Sequence, residues 1–81
     1  YTMVKDKVPL GDLSHERAMK KIEETFADVD QNKTDGLKLT WGQSWVHIRK
    51  SNTEPIIRIY AEAYLKDDAH KLVDSIKRCI L

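Results

Sequence analysis

The sequence predicts an α+β two-layer sandwich with the element order β-α-β-β-β-α. Two segments repeat apolar residues at every third or fourth position, which is typical of amphipathic helices. Between them, three segments alternate apolar and polar residues and are joined by short connections, which indicates antiparallel strands. Because one sheet face can bury both helices, we expect an antiparallel four-stranded sheet with two helices on one face. The opposite face is then open or covered by another domain.

The N-terminal part contains a short strand and the first helix. Apolar residues at positions 1–4 predict an opening strand, and the charged residues up to Pro9 predict a loop. Ser14 is a favourable N-cap, so we predict a helix over 14–28. A polar turn follows at 30–36. The apolar stripe of the helix consists of Met19, Ile22, Phe26 and Val29.

Three strands follow in succession, over 37–41, 44–49 and 56–63. The first two are joined by the tight turn Gly42-Gln43, which predicts a hairpin. The residues expected to face the helices are Leu37, Leu39, Trp41, Val46, Ile48, Ile57, Ile59, Ala61 and Ala63.

The last helix opens with Asp67 and Asp68, which suit the positive end of the helix dipole. Lys77 and Arg78 near its C-terminus suit the negative end. Its apolar stripe consists of Ala69, Leu72, Val73, Ile76 and Ile80.

Length and composition narrow the class of protein. The chain of 81 residues predicts one domain spanning 1–81. Its 14 basic and 13 acidic residues give a net charge of +1, which argues against a dedicated nucleic-acid or membrane-surface binder. No apolar run approaches the roughly 18–20 residues of a membrane span. Cys79 is the only cysteine, so a reducing, cytoplasmic location is expected.

Residues 49–55, Arg-Lys-Ser-Asn-Thr-Glu-Pro, form a dense cluster of hydrogen-bond donors. A guanidinium, an ammonium, two hydroxyls and a carboxamide occupy five consecutive positions between two strands. A phosphate offers several acceptor oxygens, and arginine binds two of them with its planar fork. The cluster therefore predicts a phosphate-binding loop.

The stretch over 35–63 resembles the C-terminal domain of the α-D-phosphohexomutases, the family of phosphomannomutases, phosphoglucomutases and phosphoglucosamine mutases. The similar motifs are Asp-Gly before a strand, a Trp-Val strand, Arg-x-Ser-Asn-Thr-Glu-Pro, and x-x-Arg-x-Tyr-x-Glu-Ala. The helices on either side agree in position, so the resemblance covers the whole chain.

The resemblance implies a fourth domain with the TATA-box-binding-protein-like fold. The family's enzymes interconvert hexose 1-phosphates and hexose 6-phosphates through a bisphosphorylated intermediate. In them the first domain carries a phosphorylated serine, and the second holds Mg²⁺ in an Asp-rich loop. The fourth binds the substrate phosphate and rotates to close the active site. This chain would then bind substrate and contact the other domains, with no catalytic residue, metal ligand or cofactor of its own, and would be inactive alone.

The resemblance also implies the site residues. Arg49, Ser51, Asn52 and Thr53 match the family's phosphate contacts, and Arg58 matches an arginine that lies near the phosphate in some members. Ser51 and Thr53 are equally suited to bonding within the turn. Asn52 tolerates a positive φ. Phosphoglucosamine mutases tend to carry glycine at that position, so the asparagine favours the phosphomannomutase/phosphoglucomutase branch.

An alternative interpretation is a stand-alone protein-interaction or single-strand nucleic-acid binding module that uses the open sheet face. Trp45 is out of phase with its apolar neighbours, so we expect it on that face, where it would stack on a base or pack against a neighbouring domain. The balanced charge argues against nucleic acid. The histidines, His15, His47 and His70, are scattered without the spacing of metal ligands.

Overall fold

The computed structural model describes residues 1–34, 36–51 and 53–80. These ranges form one antiparallel sheet in the order β1-β5-β4-β3-β2, with two helices. The elements are β1 (Thr2–Pro9), α1 (His15–Thr25), β2 (Asp30–Asn32), β3 (Leu37–Trp41), β4 (Ser44–Lys50), β5 (Ile56–Ala63) and α2 (Lys66–Ile80). The predicted α+β sandwich is confirmed, but the sheet has five strands rather than four.

The core lies between one face of the sheet and the two helices. The register places Ile59 of β5 opposite Ile48 of β4, and Ile48 opposite Leu37 of β3. All three side chains are almost completely buried, so the predicted inward faces of these strands are confirmed. Helix α1 contributes Ile22 to the core. Helix α2 contributes Ala69, Val73, Ile76 and Ile80.

Strand β1 is longer than predicted, because the charged residues after Val4 belong to it rather than to a loop. They continue the alternation of a strand that is buried on one side only. Lys5 and Lys7 are exposed, whereas Asp6 points toward the helices and forms an ion pair with Lys77 of α2. The hydrogen bond from Lys77 holds the pKa of the Asp6 carboxyl below its usual value, and Asp6 raises the pKa of Lys77.

Strand β2 was predicted as part of a polar turn, and that prediction is wrong. Its three residues pair antiparallel with β3 at the edge of the sheet. The side-chain amide of Gln31 donates to the backbone oxygens of Glu23 at 3.0 Å and Phe26 at 2.9 Å. Gln31 therefore caps carbonyls at the end of α1 that have no partner within the helix, which fixes β2 beside that end.

The helix boundaries differ slightly from the predicted ones. Ser14 caps α1 as expected, its hydroxyl accepting from the backbone N–H of Arg17 at 3.2 Å. The helix ends at Thr25 rather than at residue 28, and α2 begins one residue early, at Lys66. Trp41 packs edge-to-face against Phe26, with ring centroids 5.7 Å apart, which confirms its predicted place beside the core.

In the described part of the chain, the helices are too short or too polar to cross a membrane.

Candidate phosphate-binding site

The loop after β4 lies at the end of the sheet where β1 finishes and α1 begins. The backbone N–H of Leu10, just after β1, donates to the Pro55 oxygen at 2.8 Å. Nε2 of His15, the first residue of α1, lies 3.0 Å from the Ile56 oxygen. The end of β1 and the start of α1 thus both contact the C-terminal side of the loop.

Hydrogen bonds within the loop give it a closed shape. The Ser51 N–H donates to the Ile56 oxygen at 3.2 Å, and the Ile56 N–H donates to the Glu54 oxygen at 2.8 Å. The Ser51 side chain is buried, and its hydroxyl oxygen accepts from the Thr53 N–H at 3.4 Å. A hydroxyl that accepts through its oxygen keeps its hydrogen for donation. Ser51 therefore shapes the turn and retains a donor for a ligand.

A row of three cationic residues crosses the open face of the sheet beside this loop. Arg49 of β4 lies directly opposite Arg58 of β5, and Arg58 lies opposite Lys7 of β1. Side chains in directly opposed positions have Cβ atoms about 4.5–5.5 Å apart, and like charges placed there are destabilising. The register therefore places three cationic side chains together at the end of the open face nearest the loop.

The far end of the open face has a different character. The row Met3, Glu62, Trp45, Thr40 and Asp30 contains two acids and no cation. Trp45 is half-buried there, with Nζ of Lys38 4.8 Å from its ring centroid. Positive charge on this face is therefore concentrated toward the loop.

A cleft of about 460 Å³ lies between α1 and the end of β4. Its lining residues are His15, Glu16, Met19, Glu23, Lys33, Gly36, Arg49 and Lys50. The cleft joins the N-terminal half of α1 to the strand end that carries Arg49. It therefore offers room for a ligand larger than the phosphate itself.

The structure brings four of the five predicted site residues to one end of the sheet. Arg49 and Arg58 are paired across the strands, Ser51 lies at the base of the loop, and Thr53 is exposed. Asn52, with its expected positive φ, lies outside the described residues. The phosphate contacts of these residues stay predictions.

Sequence reasoning missed two residues at this end. Lys7 was placed in a loop, because three charged residues in a row hid the alternation of β1. His15 was treated as a scattered histidine. Its position directly after the N-cap was the available signal, because α1 follows the strand that ends beside the loop.

Among the described residues, no three His, Cys, Asp or Glu side chains come together as a possible metal-binding group. The absence of a metal or cofactor from this domain, and the Mg²⁺ expected elsewhere in a full-length enzyme, stay predictions.

The sequence of the chain matches a known class of domain. Residues 4–78 match the family described as "Phosphoglucomutase/phosphomannomutase, C-terminal domain". The match covers most of the chain, so the chain belongs to this family and is a C-terminal domain of the phosphohexomutases.

Curated relatives agree with this assignment. A "Phosphoglucosamine/phosphogalactosamine mutase" of Sulfurisphaera tokodaii is 41% identical, over 99% of this chain and 18% of that protein. A "Probable phosphoglucosamine mutase" of Methanopyrus kandleri is 33% identical, over 99% of this chain and 19% of that protein. A "Phosphomannomutase" of Methanocaldococcus jannaschii is 36% identical, over 76% of this chain and 14% of that protein. The chain thus spans about a fifth or less of the length of these relatives.

Proposed function

We propose that this chain binds the phosphate group of a hexose phosphate as one domain of a phosphohexomutase. Arg49, Ser51, Asn52 and Thr53 would contact the phosphate, and Arg58 would add positive charge behind them. The observation that carries the proposal is the row Arg49, Arg58 and Lys7, which concentrates positive charge beside a closed, donor-rich loop. A phosphate satisfies both features, because it combines negative charge with several acceptor oxygens.

The parent enzyme would interconvert hexose 1-phosphate and hexose 6-phosphate through a bisphosphorylated intermediate. This domain would position the substrate, and positioning is a large part of catalysis in phosphoryl transfer. The phosphorylated serine and the Mg²⁺ site would lie in other domains of the same enzyme, which are the expected protein partners. We further propose a cytoplasmic location, in keeping with the free thiol of Cys79.

The names of the relatives include both hexosamine and hexose mutases. The asparagine at position 52 favours the hexose branch, whereas the relative at 41% identity is named for hexosamine substrates. The ligand is therefore proposed as a hexose phosphate in the broad sense, and phosphates of both hexoses and hexosamines serve as test ligands.

The proposal is tested by titrating the chain with glucose 1-phosphate, mannose 6-phosphate and glucosamine 6-phosphate while recording amide NMR spectra. We expect shifts centred on residues 49–53 that saturate with ligand. The unphosphorylated sugars are the matched control and should leave those amides unchanged. A single-stranded oligonucleotide tests the alternative function. Shifts spread over the open face with the oligonucleotide, and none with the sugar phosphates, would overturn the proposal.

A further inference from the structure

We propose that His15 is a positioning residue that fastens the phosphate-binding loop to the start of helix α1. Its Nε2 lies 3.0 Å from the Ile56 carbonyl oxygen, and the contact is partly buried. Because a carbonyl oxygen only accepts hydrogen bonds, Nε2 carries the proton in this contact. The histidine thereby links α1 to the first residue of β5, across 41 positions of sequence.

The carbonyl group that His15 binds is also the one that closes the loop. The Ile56 oxygen accepts from the Ser51 N–H at 3.2 Å as well as from His15. A carbonyl oxygen has two lone pairs and accommodates both donors. The ring therefore holds in place the acceptor on which the base of the loop depends, and Ser51 is one of the predicted phosphate contacts.

The position of His15 is itself well determined. Ser14 accepts hydrogen bonds from the N–H groups of Arg17 through its hydroxyl, at 3.2 Å, and of Ala18 through its carbonyl, at 3.0 Å. The N–H of Leu13 donates to the Leu10 oxygen at 3.0 Å. These hydrogen bonds fix the first turn of α1 without any contribution from the His15 side chain. Because the backbone at His15 is fixed and the side chain is short, the imidazole ring has little freedom to move away from the loop.

The inference rests on the proposed function, because a positioning role requires that the loop bind phosphate. It adds that the geometry of the loop depends on a residue that need not touch the phosphate. The Ser51 N–H remains a donor to Ile56 without the histidine, so the carbonyl would keep one partner. Loss of the ring should therefore loosen the loop without unfolding the domain.

Two substitutions separate the hydrogen bond from the volume of the ring. His15→Phe keeps an aromatic ring but removes the donor, and His15→Gln keeps a side-chain N–H donor. His70→Phe is the matched control, because His70 is an exposed histidine on α2. Two quantities are measured for each variant of the 81-residue chain: amide hydrogen exchange at Ser51, and the dissociation constant for glucose 1-phosphate by NMR titration.

One neutral hydrogen bond contributes about 1 kcal/mol, which corresponds to roughly a fivefold change in an equilibrium. We expect His15→Phe to accelerate exchange at Ser51 and to weaken glucose 1-phosphate binding, each by roughly fivefold. His15→Gln should restore both values toward those of the unaltered chain, and His70→Phe should change neither.

Unchanged exchange at Ser51 in His15→Phe would overturn the inference and leave the proposed function standing. The same holds if His15→Gln behaves like His15→Phe, because volume rather than the donor would then matter. Faster exchange at Ser51 with unaltered phosphate affinity would show a purely structural contact, and that too overturns the positioning role. If the unaltered chain shows no phosphate binding, the proposed function and this inference are rejected together.

Discussion

Gly36 lies so close to the backbone of Ile48 that a Cβ atom added at Gly36 would come within 2.6 Å of the Ile48 carbonyl oxygen. The same Cβ would lie 3.3 Å from Cγ of Arg49. Gly36 also has a φ of +74°, which L side chains rarely adopt. Glycine at this position, just before β3, therefore allows the backbone to lie close beside the part of β4 that carries Arg49.

Gly36→Ala is expected to destabilise the domain and to disturb the proposed phosphate site beside Arg49. The positive φ alone costs an alanine about 1–2 kcal/mol, and overpacking against a backbone oxygen adds about 1–3 kcal/mol. Gly42→Ala is the matched control, because Gly42 has a φ of +56° but no atom within 4 Å of an added Cβ. Urea unfolding of both variants measures the difference. Equal losses of stability would show that the close approach to Ile48 carries no cost.

Arg49→Ala is expected to lower kcat/KM of a full-length enzyme carrying this domain by roughly 10- to 150-fold. This range corresponds to one charged hydrogen-bonding group, which contributes on the order of 1.5–3 kcal/mol. Arg49→Lys should recover part of the loss, because it keeps the charge but not the planar fork. Arg78→Ala removes an exposed arginine on the helical side and should leave kcat/KM unchanged. A near-normal kcat/KM in Arg49→Ala would contradict the assignment of the phosphate contact.

The sequence predicted the parts of the fold that follow from apolar periodicity. Strands β3, β4 and β5 alternate apolar and polar residues, and their predicted inward residues are buried except for Trp41, which is half-buried beside the core. Strand β2 carries no apolar signal, because its inward residue is Gln31. The role of Gln31 depends on the carbonyl oxygens of Glu23 and Phe26, which its amide reaches only when the chain turns back after α1. The length of β1 was misjudged because Asp6, a charged residue at an inward position, finds its partner Lys77 only in the tertiary structure.

The candidate site was predictable wherever it lies in one continuous motif. Residues 49–55 are local in sequence, so their place between two strands could be predicted, and their phosphate chemistry stays a prediction. The row that joins Arg49 to Lys7 depends on the pairing of β1 with β5 and could not be obtained from spacing alone. The same is true of the contact between His15 and Ile56, since the two residues are far apart in sequence.

Asp6→Asn is expected to lower the free energy of unfolding of the domain at neutral pH. It should also remove part of the pH dependence of that free energy. Both side chains of the ion pair are about one-third exposed, so the loss should be at most about 1 kcal/mol. Bonding to Lys77 lowers the pKa of Asp6. The pair therefore contributes fully above the usual aspartate pKa of about 3.9 and is lost as pH falls through the lower folded value.

Lys77 sets the upper end of the pH range in which the ion pair stabilises the domain. Asp6 raises the pKa of Lys77, so the stabilisation is present below the usual lysine pKa of about 10.4. It is lost as pH rises through the higher folded value. Urea unfolding of the unaltered chain and of Asp6→Asn should thus show a constant difference across neutral pH that shrinks at both extremes. Asp12→Asn, a change in an exposed loop residue, is the control. A difference that does not vary with pH would contradict the assignment to the ion pair.

Arg58→Ala is expected to weaken glucose 1-phosphate binding less than Arg49→Ala does. Arg58 lies on β5, the strand next to the one that carries Arg49, so we expect it to act on a bound phosphate through its charge rather than by direct contact. An exposed charge pair contributes about 0.2–1 kcal/mol, which predicts a loss of at most about fivefold.

Salt distinguishes the two arginines. Exposed charges are screened over a Debye length of about 8 Å at physiological ionic strength, so the effect of Arg58→Ala should fall as salt is added, whereas the loss of the Arg49 fork should persist. Glu62→Gln, on the same face of β5 in the row farther from the loop, is the control and should leave affinity at high salt unchanged. The measurement is the dissociation constant of each variant at low and high ionic strength. An equally large, salt-resistant loss in Arg58→Ala would instead place its guanidinium in direct contact with the phosphate.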